Sequence, residues 1–446
     1  MRTPLSHSRS GPRPPVAGRT LEAWLHWQEG LHPSTIALGL ERTREVARRL
    51  AVGPVCPVVV TVAGTNGKGS SVALLESILA AAGYRVGSYT SPHLLRYNER
   101  VRVAGRSVDD RSLCQAFAAV ERVRDGVGLT YFEFGTLAAL YILERARLDV
   151  VLLEVGLGGR LDAVNIVDPD VALISSIGLD HMEWLGSDRE AIGYEKAGVM
   201  RSGRPVVCGD PQPPASIAGH AREVGAQLVR FGEDFGFEAA APGQWTWWHG
   251  AGEARDLPHP ALPGSVQLMN AASVLQVLEL LKDRVPVSRQ AVAQGLRQVR
   301  LLGRFQSLPG RVETILDLAH NPDAARWLAS TLRERHGKGR VLAVFSALQG
   351  KDVGGMVEAL SDRVASWYTA PVSSSRGLAL EALQAMLAQG APGAPVRGFG
   401  ALEQAYGQAL ADARTGDLVL VFGSAYTVAE VLTAVGRCRA LSDSRL

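Results

Sequence analysis

This sequence predicts an α/β protein made of two parallel-sheet domains, and three observations carry that reading. Pro57-Val58-Val59-Val60-Thr61-Val62-Ala63 is nearly all apolar, as expected of a parallel strand covered on both faces. That run enters a glycine-rich turn, Gly64-Thr65-Asn66-Gly67-Lys68-Gly69-Ser70, and leaves it with helical spacing. The strand-and-helix rhythm then starts afresh past residue 302, and a chain of 446 residues is long enough for two ordinary cores.

Taken in order, the chain opens with Arg2, Arg9, Arg13 and Arg19 spread through Pro, Ser and Gly. Residues 1–18 therefore read as a solvated, disordered tail. Leu21, Trp24, Leu25 and Trp27 give a short apolar helix face, and Ile36 to Leu50 continues at helical spacing. After the strand at 57–63, Ser70 to Ala82 reads as a helix and Tyr84 to Tyr89 as the next strand. Leu148 to Val155 and Val171 to Ser176 are two more strands. Residues 232–264 break the rhythm, with Gly243-Gln244-Trp245-Thr246-Trp247-Trp248 suggesting a small hairpin region. Helical patterns follow at 268–283 and 288–299. Second-domain strands are expected at Arg311 to Leu318, Arg340 to Ser346, Ala365 to Thr369 and Asp417 to Phe422. The first domain is expected to span 19–301 and the second 302–446.

Composition narrows the function. Hydrophobic residues make up 46% and charged residues 20%, a globular profile, and the formal net charge of +3 supplies no basic stripe for nucleic acid. Cys56, Cys114, Cys208 and Cys438 lie far apart without a C-x-x-C pair. That argues against zinc or a disulfide framework and for a reducing, cytoplasmic setting. No apolar run reaches membrane-spanning length, and the N-terminus lacks the apolar core of a signal peptide.

The loop at 64–70 has the parts of a phosphate site. Its glycines let backbone N–H groups wrap an anion, the helix that follows adds positive potential, and Lys68 adds a charge. It departs from G-x-x-x-x-G-K-[ST]: Gly69 stands where a hydroxyl would ligate Mg²⁺, and Ser70 is displaced by one. Other side chains must then supply metal ligands, and parallel sheets place them after later strands. Ser91, Glu154 and His181 are the candidates. Ser91 also suits a turn before Pro92, and His181 also suits an ordinary loop. Glu154 is harder to explain structurally, because a carboxylate ending an apolar strand is costly unless paired or metal-bound. Gly156-Leu157-Gly158-Gly159-Arg160 lacks dinucleotide spacing, since position 161 is Leu.

These segments, followed by Ser91-Pro92-His93-Leu94, Tyr97-Asn98-Glu99-Arg100, Phe132-Glu133-Phe134, Glu154 to Asp162, Asp180-His181, Glu195-Lys196-Ala197-Gly198, Gly303-Arg304-Phe305, Ala319-His320-Asn321-Pro322 and Gly423-Ser424, stand in one order. The set resembles the folylpolyglutamate synthase family of the Mur ligase superfamily, from about Leu21 to Val431. Asn165 to Val171 and Trp184 to Glu190 are similar to its bacterial bifunctional branch, dihydrofolate synthase plus folylpolyglutamate synthase. The resemblance implies a P-loop domain followed by a smaller Rossmann-like domain of Mur ligase type. It implies ATP phosphates on Gly64, Thr65, Asn66, Gly67, Lys68, Gly69 and Ser70, and further nucleotide contacts from Asn270, Arg304, Asp317 and His320. Magnesium, in all two ions, would be held through Ser91, Glu154 and His181. Pterin-side contacts would come from Leu38, Gly39, Leu40, Thr130, Tyr131, Phe132, Glu133, Leu161, Asp162 and Ala163. Four positions depart from the family pattern: Ala37, Val266, Leu318 and Asp323.

The activity implied is ATP-dependent amide formation between glutamate and the carboxylate of dihydropteroate or tetrahydrofolate. Phosphorylation would turn a poor electrophile into an acyl phosphate that the glutamate amine attacks. Lys68, His181 and Lys196 would be the catalytic residues, with Lys196 resembling a site of carbamylation by CO₂. By its residues alone Lys196 fits an ordinary surface lysine beside Glu190 or Glu195. The expected partners are small molecules and the expected state a monomer. The alternatives are another superfamily ligase acting on a cell-wall nucleotide peptide, a small-molecule kinase and a regulatory ATPase.

Overall fold

The computed structural model describes residues 20–443 apart from Pro33, Thr35, Pro54, Ala241, Pro242, Ala251 and Lys338, and describes 437–443 as backbone only. The expected N-terminal tail with its four arginines and the side chain of Cys438 lie outside the described residues.

Three sheets organise the chain. The first has eight strands in the order Arg106–Ser107, Val101–Val103, Val86–Tyr89, Val150–Glu154, Val58–Ala63, Val171–Ile174, Pro205–Cys208 and Gln227–Arg230. The six strands from Val86–Tyr89 onward run parallel, and the two-strand edge is antiparallel. The strand Val58–Ala63 is central and wholly buried, which its apolar run requires. Its neighbours are reached by crossovers to opposite sides, so the crevice beyond its carboxyl end is the natural place for a ligand. Lys68–Ala81, Ser265–Leu280 and Arg289–Gln298 pack with one face of the sheet. Leu21–Glu29, Glu41–Leu50, Asp110–Arg124 and Tyr131–Arg145 pack with the other. Fully buried side chains such as Leu74, Leu75 and Ile78 each contribute about 1.5–3 kcal/mol.

The second sheet is antiparallel and three-stranded: Phe235–Ala239, Gln244–His249 and Gly252–Pro258. The tryptophan-rich stretch is its middle strand, with Trp245 fully buried. The third sheet runs Gln306–Leu308, Glu313–Leu316, Leu418–Phe422, Val341–Phe345, Val364–Thr369 and Val396–Gly398, parallel except for its first strand. Its two faces carry separate apolar clusters, one around Trp367 and one around Tyr368.

One element differs in length from expectation. The helix expected from Ile36 begins only at Glu41, because Gly39 takes φ 150° and donates its N–H to Leu161 O at 3.3 Å. Among the described residues Cys56, Cys114 and Cys208 form no disulfide, and no helix is long and apolar enough to cross a membrane.

Candidate active site

The loop at 64–70 is shaped by close backbone packing. A Cβ on Gly64 would lie 2.0 Å from Ser175 Oγ, and one on Gly67 would lie 2.6 Å from Asn270 Oδ1, so only glycine fits either position. Thr65 N–H donates to Ser176 O at 2.6 Å, while the Ser175 and Ser176 hydroxyls donate to Asn66 O at 2.6 and 3.0 Å. These two serines shape the loop, and their signal in sequence is only their place after a strand. Lys68 Nζ donates to Gly64 O at 2.8 Å and Thr65 O at 3.2 Å, so the ammonium is folded under the loop. Burial holds its pKa below the ordinary lysine value, against the opposing charges of Glu154 and Asp180.

Glu154 ends the strand Val150–Glu154 and is buried. Burial raises its pKa, while Lys68, the Ser91 N–H and Arg304 act the other way. Ser91 N–H donates to Glu154 Oε2 at 3.1 Å, which brings two of the expected metal ligands together. A Cβ on Gly69 would sit 3.7 Å from Glu154 Oε1, so the position lacking the usual hydroxyl faces this carboxylate. Among the described residues, no three His, Cys, Asp or Glu side chains stand together as a metal-binding group. The donors offered are one buried carboxylate and a serine. That set fits a hard cation such as Mg²⁺, which keeps waters and takes phosphate oxygens instead of an all-protein cage.

His181 has φ 52° and opens the short helix Met182–Leu185. Burial takes its pKa down to about 4, with Lys351, His320 and Lys68 adding to the effect and Asp180 opposing it. It is therefore neutral at physiological pH. Lys196, on the helix Arg189–Ala197, is 3% exposed. Burial and then the charge of Lys68 bring its pKa down to about 7, against Asp180, Asp162 and Glu195. That burial sets aside the surface-lysine reading. Glu195 is bonded instead to Arg160, at 2.7 Å.

Asn66, Gly67, Ser70, Asn270, Arg304 and Asp317 line one cleft between the two sheets' domains. Asp317 is raised by burial, in spite of Arg304, and accepts N–H groups from Phe305 at 2.9 Å and Ala319 at 2.8 Å. Arg304 Nε is buried without a hydrogen-bond partner. Contacts cross the cleft directly. The amides of Asn66 and Asn321 pair reciprocally at 3.0 and 3.2 Å. Asp180 meets Lys351 Nζ at 2.5 Å and His320 Nε2 at 3.2 Å, which together hold its carboxyl far below the usual range despite burial. Sequence reasoning passed over Lys351 and Asn321 as site residues. Two of the residues that depart from the family pattern pack against glycines. Leu318 lies against Gly303, where a Cβ would be 2.8 Å from Leu318 Cγ, and Asp323 Oδ2 would be 2.2 Å from a Cβ on Gly178.

The residues expected on the pterin side differ in burial and in what holds them. Leu38 and Gly39 are half-buried beside Leu161, while Tyr131 and Phe132 keep partial exposure. Phe132 lies over Gly156, where a Cβ would be 2.5 Å from its ring. Thr130 and Glu133 are instead engaged in structure. Thr130 caps the helix Tyr131–Arg145, and Glu133 accepts from Thr130 N at 2.8 Å and Arg42 Nη2 at 2.9 Å. Asp162 accepts N–H groups from Leu157 at 2.8 Å and Val164 at 3.0 Å, and burial still raises it to about 6. Ala163 and Leu40 are buried.

Comparison with known proteins identifies the family of the chain. Residues 62–241 match the Mur ligase middle domain and residues 303–425 the Mur ligase glutamate ligase domain. The dihydrofolate synthase/folylpolyglutamate synthase of Escherichia coli K12 is 46% identical over 423 residues, covering 95% of this chain and 97% of the relative. The structure of Escherichia coli FolC with DHPP and ADP superposes with a TM-score of 0.91 at 45% identity, covering 95% of this chain and all (100%) of that one. A bifunctional folylpolyglutamate synthase/dihydrofolate synthase with Mn, AMPPNP and L-glutamate bound gives 0.88 at 48% identity, with 95% and 100% coverage. The chain belongs to the dihydrofolate synthase/folylpolyglutamate synthase family of ATP-dependent Mur ligases.

Proposed function

We infer that this chain joins glutamate to the carboxylate of dihydropteroate and of tetrahydrofolates at the expense of ATP, through an acyl phosphate. The observation that carries the reading is the single cleft in which a phosphate loop from one domain meets Arg304 and Asp317 from the other. It is supported by relatives whose names state both activities and by a relative that holds a nucleotide analogue and glutamate together.

The residues divide the work as follows. Backbone N–H groups of 64–70 and Lys68 receive the ATP phosphates, while Asn270, Arg304, Asp317 and His320 orient the nucleotide. Glu154, Ser91 and His181 would hold Mg²⁺, two ions in all, which would supply neutralisation of the phosphate and carboxylate charges. Neutral His181 suits a ligand, since an imidazolium has no free lone pair. Lys196, depressed to about 7, has the free amine that carbamate formation with CO₂ requires. Leu38 to Leu40, Tyr131, Phe132 and Leu161 to Ala163 border the acceptor, with Thr130 and Glu133 fixing the helix that carries the aromatic pair. We place the domain border at 301/302, and take the enzyme as monomeric and cytoplasmic.

Phosphate release measured with ATP alone, with each substrate singly and with both substrates tests this. A ligase releases phosphate stoichiometrically with amide only when acceptor and glutamate are both present. A regulatory ATPase shows no such dependence, and a kinase releases none. Assaying dihydropteroate and tetrahydrofolate separately resolves the two activities, and failure of both would return the reading to another amino-acid ligase of the superfamily.

A further inference from the structure

The loop between the strand Val86–Tyr89 and the short helix Tyr97–Arg100 is built more firmly than a connection needs. Glu99 accepts three consecutive backbone N–H groups, from Leu94 at 2.7 Å, Leu95 at 2.9 Å and Arg96 at 2.7 Å. Arg100 Nε donates to His93 Nδ1 at 2.9 Å, and its guanidinium stands 5.1 Å from the Tyr97 ring centroid. At the near end, Ser91 N–H donates to Glu154 Oε2 at 3.1 Å. At the far end the Leu94 side chain leaves its own domain and packs against the second domain's apolar cluster, the one containing Leu402 and Val431. Leu94 and Leu95 also border a cavity with Leu402 and Ala429 of that domain.

We propose that residues 91–99 form a strut that couples docking of the second domain to the orientation of Glu154, with Leu94 as the positioning residue. Three anchors in the first domain make the loop stiff, so displacement of Leu94 cannot be absorbed locally. Only two residues separate Leu94 from Ser91, whose N–H fixes one oxygen of the carboxylate. Undocking the second domain therefore loosens the hydrogen bond that aims Glu154, and docking restores it. A simple packing role explains the arrangement poorly. Leu94 is only partly buried and Leu95 is 48% exposed, so the loop gains little from apolar burial. The proposal rests on the assignment of Glu154 to the metal–nucleotide site given above.

The test uses the full chain with Mn²⁺ as probe. Mn²⁺ binding is titrated by EPR in the presence of AMPPNP for the unaltered chain, Leu94→Ala, Leu94→Val and Leu94→Met, with melting temperatures measured in parallel. Losing an outer support of a ligating carboxylate should weaken Mn²⁺ binding about tenfold in Leu94→Ala. The amide formed per phosphate released should fall with it. Leu94→Val should lie between, and Leu94→Met, which keeps the reach, should return near the original values. A folded Leu94→Ala with unaltered Mn²⁺ affinity overturns the strut. If Leu94→Ala does not fold, Leu94→Val decides on the same criterion. Absence of ligation by the unaltered chain would defeat the functional reading instead, while the Mn²⁺ titration would still judge the strut.

Discussion

At the scale of single residues, two lysines are held in states that water would not give them. Lys68 is kept by two carbonyls of its own loop, at 2.8 and 3.2 Å, in the loop proposed to receive the ATP phosphates. Lys68→Ala should therefore keep the fold, checked by melting temperature, while ligation falls by about 10²–10³-fold through loss of a transition-state charge. Near-normal turnover in a folded variant would remove the phosphate-loop assignment. Lys196 is different, since its depression to about 7 comes from burial and the nearby positive charge of Lys68. Above that pH the amine is neutral and can attack CO₂; below it the amine is protonated and cannot. Carbamate followed by ¹³CO₂ NMR should therefore rise as pH rises through about 7, and its signal should vanish in Lys196→Ala. A fully active preparation showing a bare amine would exclude the carbamate. Glu154 was legible in sequence because a carboxylate closing an apolar strand demands an explanation. The burial of Lys196 was not, because its helix also carries Arg189, Glu190 and Glu195, and nothing local distinguishes the inward-facing charge.

At the scale of elements, the loops and helix starts that face the cleft divide into those that shape it and those free to touch a ligand. Thr130 and Glu133 form a reciprocal cap in which the Glu133 carboxylate is also bonded to Arg42 and Thr43. Thr130→Ala should lower unfolding free energy by about 1 kcal/mol in urea titration, with the Michaelis constant for the acceptor changed little. A large rise in that constant at unchanged stability would instead make the hydroxyl a ligand contact. The apolar runs at 58–63 and 150–154 were readable because strands buried on both faces show no polar alternation. Edge strands such as Arg106–Ser107, exposed along their length, and Val396–Gly398, of three residues, carry too little pattern to be read. The missing first turn of the helix expected from Ile36 has a comparable cause. Apolar spacing over 36–40 resembles a helix, but the backbone of Gly39 is committed to Leu161 across the loop.

At the scale of the whole molecule, function depends on how two separately cored domains meet, and this was the least legible feature. Ordered motifs indicated which segments belong to one site, but the cross-domain contacts of Asn66 with Asn321 and of Asp180 with Lys351 join residues far apart in sequence. The Asp180–Lys351 pair is almost wholly buried, with side chains 9% and 10% exposed. Removing one partner of a buried pair costs about 3–5 kcal/mol because the other charge stays buried, but only in the closed arrangement. When the cleft opens, Asp180 and Lys351 are returned to water and the penalty disappears. Lys351→Met should therefore shift the chain toward an open form without unfolding it, since each domain keeps its own core. Small-angle scattering with saturating AMPPNP should give a larger radius of gyration than the unaltered chain gives. Arg304→Ala acts on the same cleft by another route: Arg304 lines the cleft proposed for the nucleotide together with Asp317, and its Nε is buried and unpartnered. That change should weaken ATP binding and raise phosphate released per amide formed, because a loosely closed cleft admits water to the acyl phosphate. The two variants separate closure from nucleotide contact. Lys351→Met alters compactness first and coupling as a consequence, whereas Arg304→Ala alters ATP affinity even where compactness is kept. Unaltered compactness in Lys351→Met would show that Asp180 is satisfied by His320 alone, and unaltered affinity and coupling in Arg304→Ala would leave that residue as a linker between domains.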